Sequence, residues 1–165
     1  PSRRTPGELA WSIPRLGPDR RAGAGAAGRS GSRTLDVSVV LDSWAVLRLL
    51  EDSGPAARLV EELLEQDRPA MSWINLGEVF YVLRRLHGED AAADTVRDVR
   101  DVIDARLPNE RLVLDAARIM SDYAMSFADA LAAALAVALD AELWTGDPEL
   151  LLDGSKWRWQ DLRST

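Results

Sequence analysis

The sequence predicts an α/β fold, a small parallel β-sheet flanked by helices on both faces. Two observations predict it. Short apolar runs of strand length alternate with stretches of helical period along most of the chain, the pattern of strands buried on both faces by crossover helices. The stretch SFADALAAALAVALDAELWTGDP, residues 126–148, condenses that pattern into one unit: a nearly all-apolar helix, a short turn and a strand. At ~1.5 Å per residue a helix over 129–139 falls about 16 Å, and at ~3.3 Å per residue a strand over 141–145 climbs about 16 Å back. Asp129, in the first turn of that helix, and Asp147, just beyond that strand, therefore return to the same edge of the fold.

The elements follow in order. Residues 35–41, LDVSVVL, are rich in β-branched side chains and predict a strand with Asp42 at its end. A helix follows over 44–50, capped by Asp42 or Ser43. Gly54 and Pro55 punctuate, and 56–66 predicts a helix with Leu59, Val60, Leu63 and Leu64 on one face. A short buried strand over 69–73 leads into a helix over 75–87, whose core stripe is Leu76, Val79, Phe80, Leu83 and Leu86 and which Gly88 ends. The charged stretch 90–106 reads as an amphipathic helix closed by Pro108. A brief strand over 111–114 and a helix capped by Asp115, running to about residue 124, lead into the stretch already described. After Asp147 and Pro148 a short helix is expected, then an edge strand over 157–162. No internal repeat is visible.

A chain of 165 residues with 47% hydrophobic content suits one domain with a sizeable core. That domain is expected over residues 35–165. Residues 1–34 hold six of the eleven glycines and four of the eight prolines and show no apolar period, so a disordered or non-native extension is expected there. They carry seven arginines against Glu8 and Asp19, while the rest of the chain holds 13 basic and 25 acidic residues. So acidic a body is a poor general binder of nucleic acid and would need local arginines or metal ions to handle one. No apolar run reaches the ~18 residues of a membrane span, so no membrane partner is expected. With no cysteine and one histidine, His87, disulfides, thiolate sites and serine–histidine triads have nothing to work with. The composition suits a cytoplasmic protein. A metal here would have to be held by oxygen, which favours Mg²⁺ or Mn²⁺ over zinc.

Taken singly, each acid of interest has a capping explanation. Ser126 and Asp129 match a capping box, Asp147 before Pro148 is an ordinary helix cap, Asp42 can cap the first helix, and Glu78 can partner an Asn75 cap. Together they are harder to explain as caps. In an open α/β sheet the ligand site lies outside the carboxyl ends of the strands. Asp42 and Asp147 stand at predicted strand ends, and Glu78 and Asp129 stand in first turns of helices that start at that edge. Four carboxylates meeting there would repel one another and raise one another's pKa values unless a divalent cation neutralised them. Ser43 and Asn75 lie close by and could hold a water of such a cation or act as caps.

The segments VVLDSWAVLRLL, INLGEVFYVLRR, SFADALAAALA and LWTGDPEL together resemble a PIN domain, in particular the small VapC-type toxin ribonucleases, over roughly residues 35–162. The resemblance implies that Asp42, Glu78, Asp129 and Asp147 form the family's acidic quartet and that Thr145 assists metal binding. It further implies endonucleolytic cleavage of RNA phosphodiesters dependent on one or two Mg²⁺ (or Mn²⁺) ions, a homodimer, and inhibition by a cognate antitoxin protein whose C-terminal segment occupies the site.

Other functions compete with this one. They are a PIN nuclease of RNA processing outside any toxin pair, a degenerate PIN module that only binds, and an aspartyl phosphoacceptor. The last is disfavoured because Asp42 is followed by Ser43-Trp44 rather than by a second aspartate, and because the lone Lys156 is poorly placed.

Overall fold

The computed structural model describes residues 37–51 and 54–164. The expectation for residues 1–34 lies outside these, as do Leu35 and Asp36 of the expected first strand. In chain order the elements are β1 (Val39–Leu41), α1 (Ser43–Leu50), α2 (Gly54–Gln66), β2 (Ala70–Ser72), α3 (Trp73–His87), α4 (Glu89–Val102), β3 (Asp104–Arg106), α5 (Glu110–Asp122), α6 (Phe127–Leu139), β4 (Glu142–Thr145) and β5 (Arg158–Asp161). The strands lie side by side in the order β3-β2-β1-β4-β5 and every pair is parallel. β1 is central, with Val40 opposite Ala70 on one side and Leu143 on the other.

The two-residue period of the strands divides the core between the faces of this sheet. Val39, Leu41 and Met71 pack with the buried residues of α1 to α4, whereas Val40, Ala70 and Leu143 pack with those of α5 and α6. The helix that dominates the second face is α6. Ala130 to Ala136 are all buried, because a helix apolar on every side must be enclosed. It packs against α5, α3, β1, β2 and β4. Asp140 ends it in the left-handed conformation, φ 50°, and Arg158 grips that turn with bonds of 2.6 Å to the Asp140 carboxylate and 2.5 Å to its carbonyl. Among the described residues no single helix is long and apolar enough to cross a membrane, and α5 with α6 reach such a length only across a 115° bend.

The expected alternation of strand and helix is present, with corrections in the middle of the chain. The charged helix expected over 90–106 stops at Val102, and Asp104–Arg106 is an edge strand on β2. Its pairing outweighs helical period: Asp104 N–H donates to Pro69 O at 2.9 Å, and Arg68 holds the Ile103 carbonyl through Nε and Nη2. An ion pair between Arg106 and Asp104, 2.7 Å, sits on this outermost strand, where charge discourages pairing with another sheet edge. The strand expected over 111–114 is the first turn of α5. Asn109, not Asp115, caps that helix by accepting from Leu112 N–H at 2.9 Å. A four-residue apolar run does not distinguish strand from helix by period. Residues 148–150 form a turn, not the short helix expected after Asp147. Leu86 is exposed rather than part of the α3 core stripe.

Candidate acidic site at the carboxyl edge of the sheet

All strands being parallel, their carboxyl ends share one edge, and β1 and β4 deliver Asp42 and Thr145 to it side by side. Asp42 is the residue after β1 and the cap of α1. One carboxylate oxygen accepts from Ala45 N–H at 2.9 Å, and the other accepts from the Thr145 hydroxyl at 2.5 Å. The side chain is 1% exposed. Burial pushes its carboxyl up to about 7 from an ordinary 3.8; the Thr145 and Ala45 bonds pull it down, and the charges of Asp129 and Asp147 push it up.

Thr145 also organises Asp147. Its hydroxyl oxygen accepts from Asp147 N–H at 2.9 Å while donating to Asp42, so one side chain fixes the relative placement of two acids. Asp147 in turn accepts from Glu149 N–H at 2.9 Å, closing the turn. Gly146 between them is a packing requirement. A Cβ there would run into the indole ring of Trp44, which lies against the loop and carries the Arg48 guanidinium 5.1 Å from its ring centre.

Asp129 stands in the first turn of α6. Ser126, the cap of that helix, accepts from Asp129 N–H at 3.1 Å and donates to its carboxylate at 2.6 Å. Partial burial raises the Asp129 carboxyl, the Ser126 bond opposes this, and the charges of Asp147, Glu78 and Glu149 raise it further. Asp42 interacts with Asp129 and Asp147, and Asp129 interacts with Asp147 and Glu78.

Asn75 does not cap α3; Ser72 does, accepting from the N–H groups of Ile74 and Asn75, each at 3.2 Å. Asn75 is instead a fully buried cross-link. Its side-chain oxygen accepts from Ser72 at 2.8 Å, and its NH₂ donates to the Ser43 hydroxyl at 3.3 Å and to Ala128 O at 3.1 Å. The Ser43 hydroxyl donates to Asn75 O at 3.1 Å. The starts of α1, α3 and α6 are therefore tied to one amide; because α3 begins at Trp73, Glu78 lies in its second turn rather than the first turn expected, whereas Asp129 is in the first turn of α6.

Sequence reasoning passed over two residues here. Glu149, two positions after Asp147, adds charge felt by Asp129. Arg163, just beyond β5, interacts with Asp147. The signal for Arg163 was present, since a parallel edge strand must end at the same edge as its neighbours. A separate cleft of about 540 Å³ between α5 and α6, lined by Leu107, Leu112, Ile119 and Val137 among others, contains none of these carboxylates.

The donor chemistry, all oxygen and electrostatically strained, fits a hard divalent cation. Among the described residues, however, no three acidic or histidine side chains stand as a ready-made metal cluster. The fit is thus one of ligand type and charge, to a cation that retains several of its waters, as Mg²⁺ does.

A family model described as PIN domain matches residues 39–152. No curated protein matches the chain. Among solved structures the chain is similar to a toxin–antitoxin complex from Klebsiella pneumoniae, with 17% identity over 76% of this chain and 98% of the other and a TM-score of 0.62. It is similar also to VapBC-1 from nontypeable Haemophilus influenzae, with 21% identity, the same coverage and a TM-score of 0.61. A third is Mycobacterium tuberculosis VapC20, a Sarcin-Ricin loop cleaving toxin, with 23% identity over 71% and 95% and a TM-score of 0.59. At these identities the likeness is one of fold.

Proposed function

The chain belongs to the PIN domain family, and on that premise we propose that it is a metal-dependent endoribonuclease, the toxin of a toxin–antitoxin pair. The observation that carries the reading is the Thr145 hydroxyl, which donates to Asp42 and accepts from Asp147 N–H at the carboxyl edge of the sheet; the charges that raise the Asp129 carboxyl, from Asp147 and Glu78, support it. Caps alone have no reason to meet in this way.

Asp42, Glu78, Asp129 and Asp147 would hold Mg²⁺ or Mn²⁺, partly through water. When bound, such a cation neutralises the carboxylates and polarises the phosphodiester. Thr145 keeps Asp42 oriented, and Ser126 does the same for Asp129. Ser43 and Asn75 act by fixing the helix starts, since their hydrogen-bonding groups are engaged with each other, Ser72 and Ala128. The partners proposed are an RNA strand, a second copy of the chain, and an antitoxin covering the acidic edge. The antitoxin is supported by the VapBC and toxin–antitoxin assemblies whose toxins share this fold.

The test is cleavage of RNA by the purified protein in Mg²⁺ or Mn²⁺, with and without Asp129→Ala. A loss of at least ~100-fold with an unchanged thermal melt is expected. Cleavage surviving in the variant, with contaminating nuclease excluded, overturns the site. The lack of a ready-made three-ligand cluster favours one second reading, a PIN module that binds without cutting. Calorimetry showing no Mg²⁺ or Mn²⁺ binding, together with tight binding to a partner peptide, would select it.

A further inference from the structure

An acidic edge that takes RNA needs positive charge on its own rim, because carboxylates alone repel a phosphate chain. Most cations of the described residues, Arg163 included, are paired with a carboxylate, so position along the edge distinguishes them. Arg48 pairs with Glu51 at 2.6 Å, Arg106 with Asp104 at 2.7 Å, and Lys156 with Asp122 at 2.5 Å. Arg158 starts β5 at the opposite edge of the sheet, where it binds Asp140.

Arg163 is different in position. Thr145 is in register with Asp161, and Leu162 N–H donates to Thr145 O at 2.8 Å, so the parallel pairing extends one step past β5. Arg163 is the next residue, in the turn where the chain leaves that pairing, and the charge of Asp147 reaches it there. The arginine side chain is 46% exposed, whereas that of Asp161 is 18% exposed. Asp161 accepts from Nε at 3.1 Å and from Nη2 at 3.0 Å, and its own carboxylate is held by Arg163 N–H at 2.8 Å and the Ser164 hydroxyl at 3.0 Å. A guanidinium has five N–H donors in a rigid fork. Asp161 uses two of them and fixes the plane, which leaves the outer donors for another anion.

Resting on the ribonuclease reading above, we propose that Arg163 is a substrate-binding residue, donating to a phosphate of the RNA strand beside the one held at the acidic quartet. Bidentate geometry suits phosphate, and the Asp161 brace removes the ordering cost that a free surface arginine would bear on binding. Asp161 acts as a positioning residue for Arg163.

The experiment compares Arg163→Gln and Arg163→Lys with Arg158→Gln, which removes the same charge at the far edge. Cleavage of a short mixed-sequence single-stranded RNA in Mg²⁺ yields KM and kcat. Fluorescence anisotropy of the same labelled RNA, in an Asp129→Asn background that leaves it intact, yields affinity against salt. Arg163→Gln is expected to raise KM and the dissociation constant about tenfold with little change in kcat, and to flatten the log-affinity against log-salt slope by ~0.7. Arg163→Lys should recover part of the loss, and Arg158→Gln should match the parent protein. The inference is overturned if Arg163→Gln leaves both KM and the slope unchanged, or if Arg158→Gln produces the same loss. Absence of RNA cleavage by the parent protein would instead overturn the ribonuclease reading itself.

Discussion

The Thr145 hydroxyl donates a 2.5 Å hydrogen bond to the Asp42 carboxylate across 103 residues of sequence. The same oxygen accepts from Asp147 N–H. Thr145→Val keeps the shape and removes both bonds. It should cost about 1–3 kcal/mol by leaving buried polar groups unpaired, measurable by urea unfolding. It should also move the acidic limb of the cleavage pH profile upward, because the bond that lowers the Asp42 carboxyl is gone. A profile that stays in place would show that Asp42 does not titrate in the reaction.

The raised Asp42 carboxyl makes stability depend on pH in metal-free buffer. Its folded value, about 7, lies above the unfolded 3.8, so between those values the folded state binds more protons than the unfolded one. Stability should therefore fall as pH rises from about 4 to about 7, with the full penalty, on the order of 4 kcal/mol, present above 7. Asp129 shifts in the same direction. Asp161 works oppositely and lower: held near 2 chiefly by the Arg163 bond, it contributes stability that is lost as pH falls from about 4 through about 2. Melts of the parent protein and Asp42→Asn between pH 4 and 8 test this. The variant should lose most of the slope, and added Mg²⁺ should raise the parent melting temperature more at pH 8 than at pH 5.

Asn75→Ala removes one amide and strands partners on three helices. The loss should be roughly 2–4 kcal/mol, large for a single polar side chain, and should accompany a fall in any metal affinity. Isothermal calorimetry with Mn²⁺ and chemical denaturation read the two effects separately. Equal stability of the variant and the parent would mean that the helix starts are held by packing alone.

Gly146→Ala forces a methyl into the Trp44 ring and should cost about 1–3 kcal/mol. Trp44→Leu should also destabilise on its own. The double variant should be less damaged than the two single losses predict, because the smaller side chain vacates the space. Strict additivity in that cycle would contradict the close approach.

The sheet and its parallel sense were legible because they follow from strand length, apolar run and the alternation of strand with helix, and the return distance of α6 and β4 brings Asp129 and Asp147 within reach of each other's charge. The misreadings have separate physical sources. At 103–106 a charged segment with helical period is captured by β2 through backbone bonds that no side-chain pattern records. At 111–114 the run RLVL is too short for period to decide, and the cap at Asn109 decides instead. Asn75 looked like a cap because asparagine commonly is one, whereas Ser72, three residues earlier, takes that role and frees the amide to reach across 53 residues to Ala128. Glu149 was missed because it depends on the turn that Asp147 closes, and Arg163 because it depends on where β5 ends, not on residue type.

The strand order carries a consequence in time. β1 is made before the other strands, the neighbour that completes the acidic edge, β4, comes about a hundred residues later, and β5 with Arg163 follows it. A partly synthesised chain that already contains Asp42, Glu78 and even Asp129 still lacks Thr145 to set Asp42 and Asp147 to accompany it. The order of synthesis thus acts as a safety catch: if the edge cuts RNA, it gains that capacity only once the chain has been made through β4 and the turn that carries Asp147.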